Sequence, residues 1–133
     1  MLFGPEHVQR YLETDGEVGH DWQGTTALIL TTKGRKSGES RSTPLIYGRD
    51  GDDYLIVASL GGAPRHPQWY LNLRDEPEVE LQVKGDRFKA RARTATDDEK
   101  PELWDTMVGR WPSYADYQTK TDRQIPVVVL ERV

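Results

Sequence analysis

The stretch Lys33 to Pro44, Lys-Gly-Arg-Lys-Ser-Gly-Glu-Ser-Arg-Ser-Thr-Pro, carries the densest potential chemistry in the chain. Lys33, Arg35, Lys36 and Arg41 outnumber the single acid Glu39, in a protein whose formal net charge is -4. Gly34, Ser37, Gly38, Ser40, Ser42 and Thr43 lie between the cations, so backbone amides and hydroxyls can approach an anion that Arg and Lys neutralise. A phosphate or a row of carboxylates fits that chemistry. No Gly-Lys-Ser/Thr stands at Walker spacing and no G-x-G-x-x-G occurs, so this is neither standard nucleotide loop. A solvated basic turn satisfies the same residues, and the segment alone leaves both readings open.

Two further stretches carry weaker signals. In Val57 to Leu73 a strand runs into Gly61-Gly62 and a helix starts just after Pro67. Glycines at a strand end let a flat ligand or a phosphate approach the backbone, and a following helix N-terminus favours an anion. A plain strand-to-helix turn, with Trp69 and Leu73 in the core, is the competing reading. In Arg110 to Tyr117, Trp111, Tyr114 and Tyr117 recur every third residue, which places them along one side of a helix. Such rows commonly pack a core. Buried tyrosine hydroxyls nevertheless need polar partners, which suits the rim of a pocket for a flat substrate.

No nucleophile and base stand together. Ser59 has no triad legible in sequence, and Asp50, Asp52 and Asp53 read as turn residues, so an organic cofactor would supply the reactive atom of an enzyme. His7, His20 and His66 are scattered without ligand spacing and cysteine is absent, which leaves no expected metal site and no disulfide.

The 133 residues, 35% hydrophobic and 30% charged, bound one domain, 1–133. A pI near 5.4 disfavours general nucleic-acid binding. The aliphatic runs Ala27 to Leu30 and Val127 to Leu130 are far shorter than a membrane span, and the first residues lack a signal-peptide core, so a soluble, cytoplasmic protein is expected.

The elements that must position these residues follow from patterning. Pro5 to Thr14 predicts a short helix, and Gly16 to Gly24 a glycine-rich connection. Thr25 to Thr32 and Ser42 to Tyr47 predict strands on either side of the basic loop. The Gly48 to Asp52 turn predicts that the second of these forms a hairpin with Tyr54 to Ser59. Val79, Leu81 and Val83 alternate with polar residues, as do Phe88, Ala90 and Ala92 in the returning strand, whose cations read as a solvated face. Pro67 to Leu73 has helical spacing. Thr96 to Glu99 is a capping box for a helix bearing Leu103, Trp104, Met107 and Val108. Pro112 to Thr119 predicts another short helix, and Ile125 to Glu131 a last, doubly buried strand. About six mostly antiparallel strands with short peripheral helices imply an α+β, mainly β barrel.

Gly34-Arg35-Lys36-Ser37-Gly38, Arg41, Pro44-Leu45, Ala58-Ser59, Gly61-Gly62-Ala63, Pro67, Trp69 to Leu73, Pro112-Ser113-Tyr114, Asp116-Tyr117-Gln118, Thr121-Asp122-Arg123 and Ile125-Pro126 occur in this order. Together they resemble the deazaflavin (coenzyme F420)-dependent nitroreductase family of actinobacterial type over about Trp22 to Glu131. The resemblance implies a split β-barrel, like the FMN-binding split barrels, holding coenzyme F420, an 8-hydroxy-5-deazaflavin with a phosphate and an oligoglutamate tail. It implies that Arg35, Lys36, Ser37, Gly38 and Arg41 hold the phosphate and tail. Pro44, Ala58, Ser59, Gly61, Gly62 and Ala63 would line the ring and its ribityl chain, beside a wall of Pro67, Trp69, Tyr70 and Asn72.

The implied reaction is hydride transfer from the reduced deazaflavin carbon to a quinone, nitroaromatic or other activated acceptor. Ser59 would bond the substrate or developing anion, and Trp111, Tyr114 and Tyr117 would form the acceptor wall. Nitroimidazole-activating members carry tyrosine at the position of Trp111 and an aromatic at that of Ile46, a departure pointing away from nitro-drug activation. Some members touch membranes through the N-terminal segment, and Met1, Leu2 and Phe3 leave open such a contact with the inner face of the cell membrane, in a monomer or homodimer. An FMN-dependent enzyme of the same barrel, or a non-catalytic binder of F420 or of a lipid or haem-like ligand, are the alternatives.

Overall fold

The hairpin predicted after Gly48 forms, but not from the predicted strands, and the difference decides how the sheet closes. The computed structural model describes residues 2–133. Helix α1 (Gly4–Glu13) is followed by β1 (Asp21–Trp22), β2 (Thr25–Lys33), β3 (Ser40–Ile46), β4 (Gly48–Asp50) and β5 (Asp53–Val57). A 3-10 turn (Leu60–Gly62) leads to α2 (Gln68–Asp75), β6 (Glu78–Val83) and β7 (Asp86–Thr94). Helices α3 (Lys100–Arg110) and α4 (Ser113–Thr119) precede β8 (Val127–Arg132).

The run expected as one strand, Ser42 to Tyr47, pairs only with β2, while the partner of β5 is the short β4. Tyr47 is the break. Its amide donates to the Thr26 carbonyl at 3.2 Å, its own carbonyl accepts from Arg110 Nε at 3.3 Å, and its buried hydroxyl lies 2.7 Å from His20 Nε2. The backbone is thus drawn off the ladder. Gly48 then admits α3, because a Cβ there would stand 2.6 Å from Met107 Sδ. The antiparallel sheet runs β2-β6-β7-β8-β5-β4, and β3, continuous in chain with β4, pairs back on β2. One bent run therefore joins both edges into a curled, split barrel.

The count of about six strands becomes eight among the described residues because Gly48–Asp50, read as turn, forms β4 and because β1 was read as connection. β1 pairs with β2 through a tight turn at Gln23 and Gly24, whose φ values of 48° and 82° suit a type I′ hairpin. The other expectations hold within a residue or two. Thr96 and Glu99 exchange the two bonds of the capping box, at 2.8 and 3.4 Å. The cations of β7 do lie at the solvated surface: Lys89 meets Glu78 at 3.5 Å, and Arg93 meets Glu131 at 3.0 Å as well as Glu99.

Alternation divides the core. Leu28, Leu30, Ile56, Leu81, Val128 and Leu130 fill the barrel, while Leu55, Val57, Val127 and Val129 face Met107 of α3 and Tyr114 of α4. Helix α1 is pinned by Tyr11, which donates to the Ala27 carbonyl at 3.1 Å and accepts from the Lys84 amide at 2.8 Å. Burial pushes that phenol up to about 12. Met1, grouped above with Leu2 and Phe3, lies outside the described residues. Phe3 packs edge-on to Trp22 at 5.8 Å and is 60% exposed. Among the described residues no helix is long and apolar enough to cross a membrane.

Candidate functional site

Strand β3 forms one wall of a cavity of about 890 Å³, with every residue from Arg41 to Ile46 on the lining. At about 3.3 Å per residue that wall is about 17 Å long. Its neighbour β2 repeats the polarity: Thr32 pairs with Arg41 and Ala27 with Ile46, and both line the same space. The Arg41 end is basic and the Ile46 end aromatic.

At the basic end the loop folds on itself. Gly38 N donates to the Gly34 carbonyl and Gly34 N to the Glu39 carbonyl, each at 2.8 Å, while Ser37 Oγ accepts from Glu39 N at 3.1 Å. A Cβ on Gly34 would lie 2.8 Å from Ser37 Oγ and 3.2 Å from the Glu39 carbonyl, so a side chain there would crowd the turn. Arg35 reaches across to α2. Its Nη1 donates to Asn72 Oδ1 at 2.8 Å and its Nη2 to Gln68 Oε1 at 2.9 Å, and buried Asn72 also donates to Thr32 Oγ1 at 3.3 Å. Lys36 and Arg41 are exposed, and Glu39 holds Arg41 only loosely, at 3.6 Å. Cations therefore remain available to an anion.

The middle wall is Ser59, Leu60 and Gly61, opposite Pro67 and Trp69. Ser59 lines this space, and its Oγ has no hydrogen-bond partner among the described residues. Behind the wall stands Arg123, which the sequence marked only as part of a family motif. Its Nε donates to the Ala63 carbonyl at 2.8 Å, its Nη2 to Ser59 at 2.7 Å, and its Nη1 to Ala58 at 3.2 Å and His66 Nδ1 at 3.1 Å. One guanidinium thus sets the course of the loop after β5.

His66 accepts from that guanidinium, so its neutral form is favoured; burial first, then the charges of Arg123 and Arg74, hold its pKa below the usual histidine value. Its stabilising effect is present above about pH 6.5 and is lost as pH falls through that value toward the depressed one. The protein should lose more thermal stability between about pH 7 and about pH 5 than His66→Asn, which keeps an acceptor for Arg123 but cannot titrate. Equal losses in melting curves across that range would remove this role.

At the aromatic end Trp111 closes α3 and Tyr114 and Tyr117 lie on α4, all three on the lining. Trp111 Nε1 donates to Tyr117 Oη at 3.4 Å, leaving the phenolic proton of Tyr117 free to point into the cavity. Tyr114 is 5% exposed, its rings meet those of Tyr117 edge-on at 6.1 Å, and burial raises its pKa, so it stays protonated. Trp22, 5.8 Å from Trp111, extends the wall to α1. Sequence reasoning missed Trp22, because β1 was read as connection.

The structure brings Arg35, Lys36, Ser37, Arg41, Pro44, Ser59, Gly61, Pro67, Trp69, Asn72, Trp111, Tyr114 and Tyr117 onto one cavity. Gly38, Ala58, Gly62, Ala63 and Tyr70, expected as cofactor contacts, are not on its lining. Gly38 shapes the basic turn with φ 73°. Ala58 and Ala63 present carbonyls to Arg123, and Tyr70 is buried with its hydroxyl 2.8 Å from Thr94 Oγ1. Gly62 packs on α4, where a Cβ would meet the Tyr117 carbonyl at 2.7 Å, and its φ is 86°.

A protein-family model described as F420H(2)-dependent quinone reductase matches residues 4–132. The chain belongs to this family. The F420H(2)-dependent quinone reductase of Mycobacterium tuberculosis H37Rv is 44% identical over 130 residues, covering 95% of this chain and 87% of that protein. A solved structure described as a domain-swapped dimer is 39% identical, covers 95% of each chain and superposes with a TM-score of 0.77. The F420-H2 dependent reductase FDR-A is 40% identical over 79% of this chain and 93% of its own, with a TM-score of 0.73. The resemblance and the split-barrel expectation are borne out, and the family description names quinone reduction. Family and FDR-A alike carry F420 in their names, and the FMN alternative gains no support.

Proposed function

We propose that this family member reduces a quinone with reduced coenzyme F420, and that the 890 Å³ cavity holds both partners. The observation that carries the proposal is the cavity's polarity: a cationic end and an aromatic end about 17 Å apart along β3. The residues present fit such a group. Lys36, Arg41 and the loop hydroxyls would hold the phosphate and acidic tail, with Arg35 braced on Asn72 and Gln68. Gly61, with φ 63° and nothing within 4 Å of a Cβ position, leaves the backbone open to a flat ring.

The bound cofactor would supply a hydride to the acceptor. Trp22, Trp111 and Ile46 orient an aromatic acceptor and keep water from it. Ser59 Oγ and Tyr117 Oη are donors positioned for oxygen that gains charge, and Tyr114, held protonated by burial, is a third.

Anaerobic mixing of the purified protein, reduced F420 and a panel of quinones tests the proposal. Loss of the reduced-cofactor spectrum only when protein and quinone are both present supports it. No oxidation across the panel, or tight FMN binding in preference to F420, would sink it. Tyr117→Phe should lower kcat about 10- to 100-fold while cofactor affinity stays unchanged; the reverse pattern would move Tyr117 into the cofactor site. On the likeness to a domain-swapped dimer we also infer a homodimer, which light scattering would read as twice the 15.2 kDa of one chain.

A further inference from the structure

His7 stands at the aromatic end of the cavity with no part in the reaction above. It lies on the inner face of α1, only 2% exposed, yet it lines the cavity. Its Nε2 is 2.8 Å from the Gly19 carbonyl, an atom that can only accept, so Nε2 carries a proton. The approach is tight: Gly19 has φ 107°, and a Cβ there would stand 2.9 Å from His7 Cδ2. Trp22 stacks on the ring at 5.9 Å and 25°. The imidazole is therefore fixed in position and tautomer.

The other nitrogen, Nδ1, has no hydrogen-bond partner among the described residues. Thr25 Oγ1 is the one fully buried side-chain polar atom without a partner among the described residues, so Nδ1 keeps some exposure, and His7 lines the cavity. In the neutral ring protonated at Nε2, Nδ1 is an acceptor. A quinone oxygen, which also only accepts, cannot bond to it. A phenolic O–H can.

We propose that His7 Nδ1 accepts a hydrogen bond from a ring hydroxyl of the molecule held beside Trp22. His7 is then a specificity-determining residue, and the hydroxyl belongs either to the reduced acceptor or to a substituent on the oxidised one. Only the identification of that ring as the acceptor rests on the proposed reductase activity; recognition of the hydroxyl does not.

The test uses the full chain without cofactor. It is titrated with 2-naphthol and with 2-methoxynaphthalene, a similar ring with no donor, while tryptophan fluorescence and the imidazole nitrogen resonances of His7 are followed. Binding of 2-naphthol should be tighter by about fivefold, with a displaced His7 Nδ1 resonance. His7→Gln places an amide at the Nε2 position and keeps the Gly19 contact but has no atom at Nδ1; it should lose the preference while its melting temperature holds. His7→Asn places its amide at the Nδ1 position and should keep part of the preference despite losing Gly19. Equal binding of the two probes, an unmoved Nδ1 resonance, or a preference surviving in His7→Gln would overturn the proposal. If His7→Gln does not fold, the wild-type probe pair and the resonance decide. A naphthohydroquinone that outbinds its quinone assigns the hydroxyl to the reduced acceptor, and a hydroxyquinone that outbinds the plain quinone assigns it to the substrate. Failure of F420 turnover would refute the reductase activity and leave the naphthol result standing.

Discussion

Arg123→Ala is expected to lower both stability and turnover, although Arg123 is not on the cavity lining. Its guanidinium makes four hydrogen bonds, to the carbonyls of Ala58, Ser59 and Ala63 and to His66 Nδ1. Bonds to a charged donor contribute about 1.5 to 3 kcal/mol each when well sheltered. Arg123 is only partly buried, so a net loss of about 3 kcal/mol, or about 10 °C in melting temperature, is expected for the set. The three carbonyls then need other partners, the Ser59–Gly61 wall shifts, and turnover should fall about 100-fold, because misplacing positioning groups by an ångström costs that much. Arg123→Lys should recover little, since an ammonium cannot span carbonyls fanned around a planar fork. Denaturant melts and kinetics showing an unchanged variant would reduce Arg123 to a surface residue.

The double substitution of Arg35 and Lys36 by alanine is expected to weaken F420 binding about 100-fold at low salt, with a smaller effect at high salt and a larger one for longer acidic tails. The two residues act differently. Lys36 is exposed with no ion-pair partner among the described residues, so Lys36→Ala alone should change stability by less than about 0.5 kcal/mol while lowering affinity. Arg35 also ties the loop to Asn72 and Gln68, so Arg35→Ala should loosen α2 and lower the melting temperature as well. Titrations that find the same affinity in wild type and double variant would exclude this loop as the anion site.

The legibility of the site followed how local its physics is. Charge density and glycine spacing are read within a few residues, so the basic loop was visible as a cluster of cations on a glycine-rich turn. The aromatic row was equally visible, and the cavity contains all of it. Where a role depends on a distant partner, spacing said nothing. Arg123 acts on carbonyls some sixty residues earlier in the chain. Trp22 joins the aromatic wall only because a two-residue strand folds it against Trp111. What the missing side chain of Gly62 makes room for, the Tyr117 carbonyl of α4, is likewise distant in the chain.

The sequence by itself determined the type of every element except β1, β4 and the short 3-10 turn, together with the strands on either side of the basic loop, the capping box and the family resemblance. These rest on backbone propensity, alternation and short-range hydrogen bonding, which act between neighbours in the chain. Tertiary structure alone decided that Tyr47 breaks its strand and so lets one run close the barrel. It also brought the basic and aromatic ends onto one cavity and set His7 on its lining. Each of those outcomes depends on bonds between residues far apart in sequence: Tyr47 with His20 and Arg110, Arg35 with Asn72, His7 with Gly19. Such bonds form only once hydrophobic burial has brought the partners together, and no periodicity in the chain encodes their geometry.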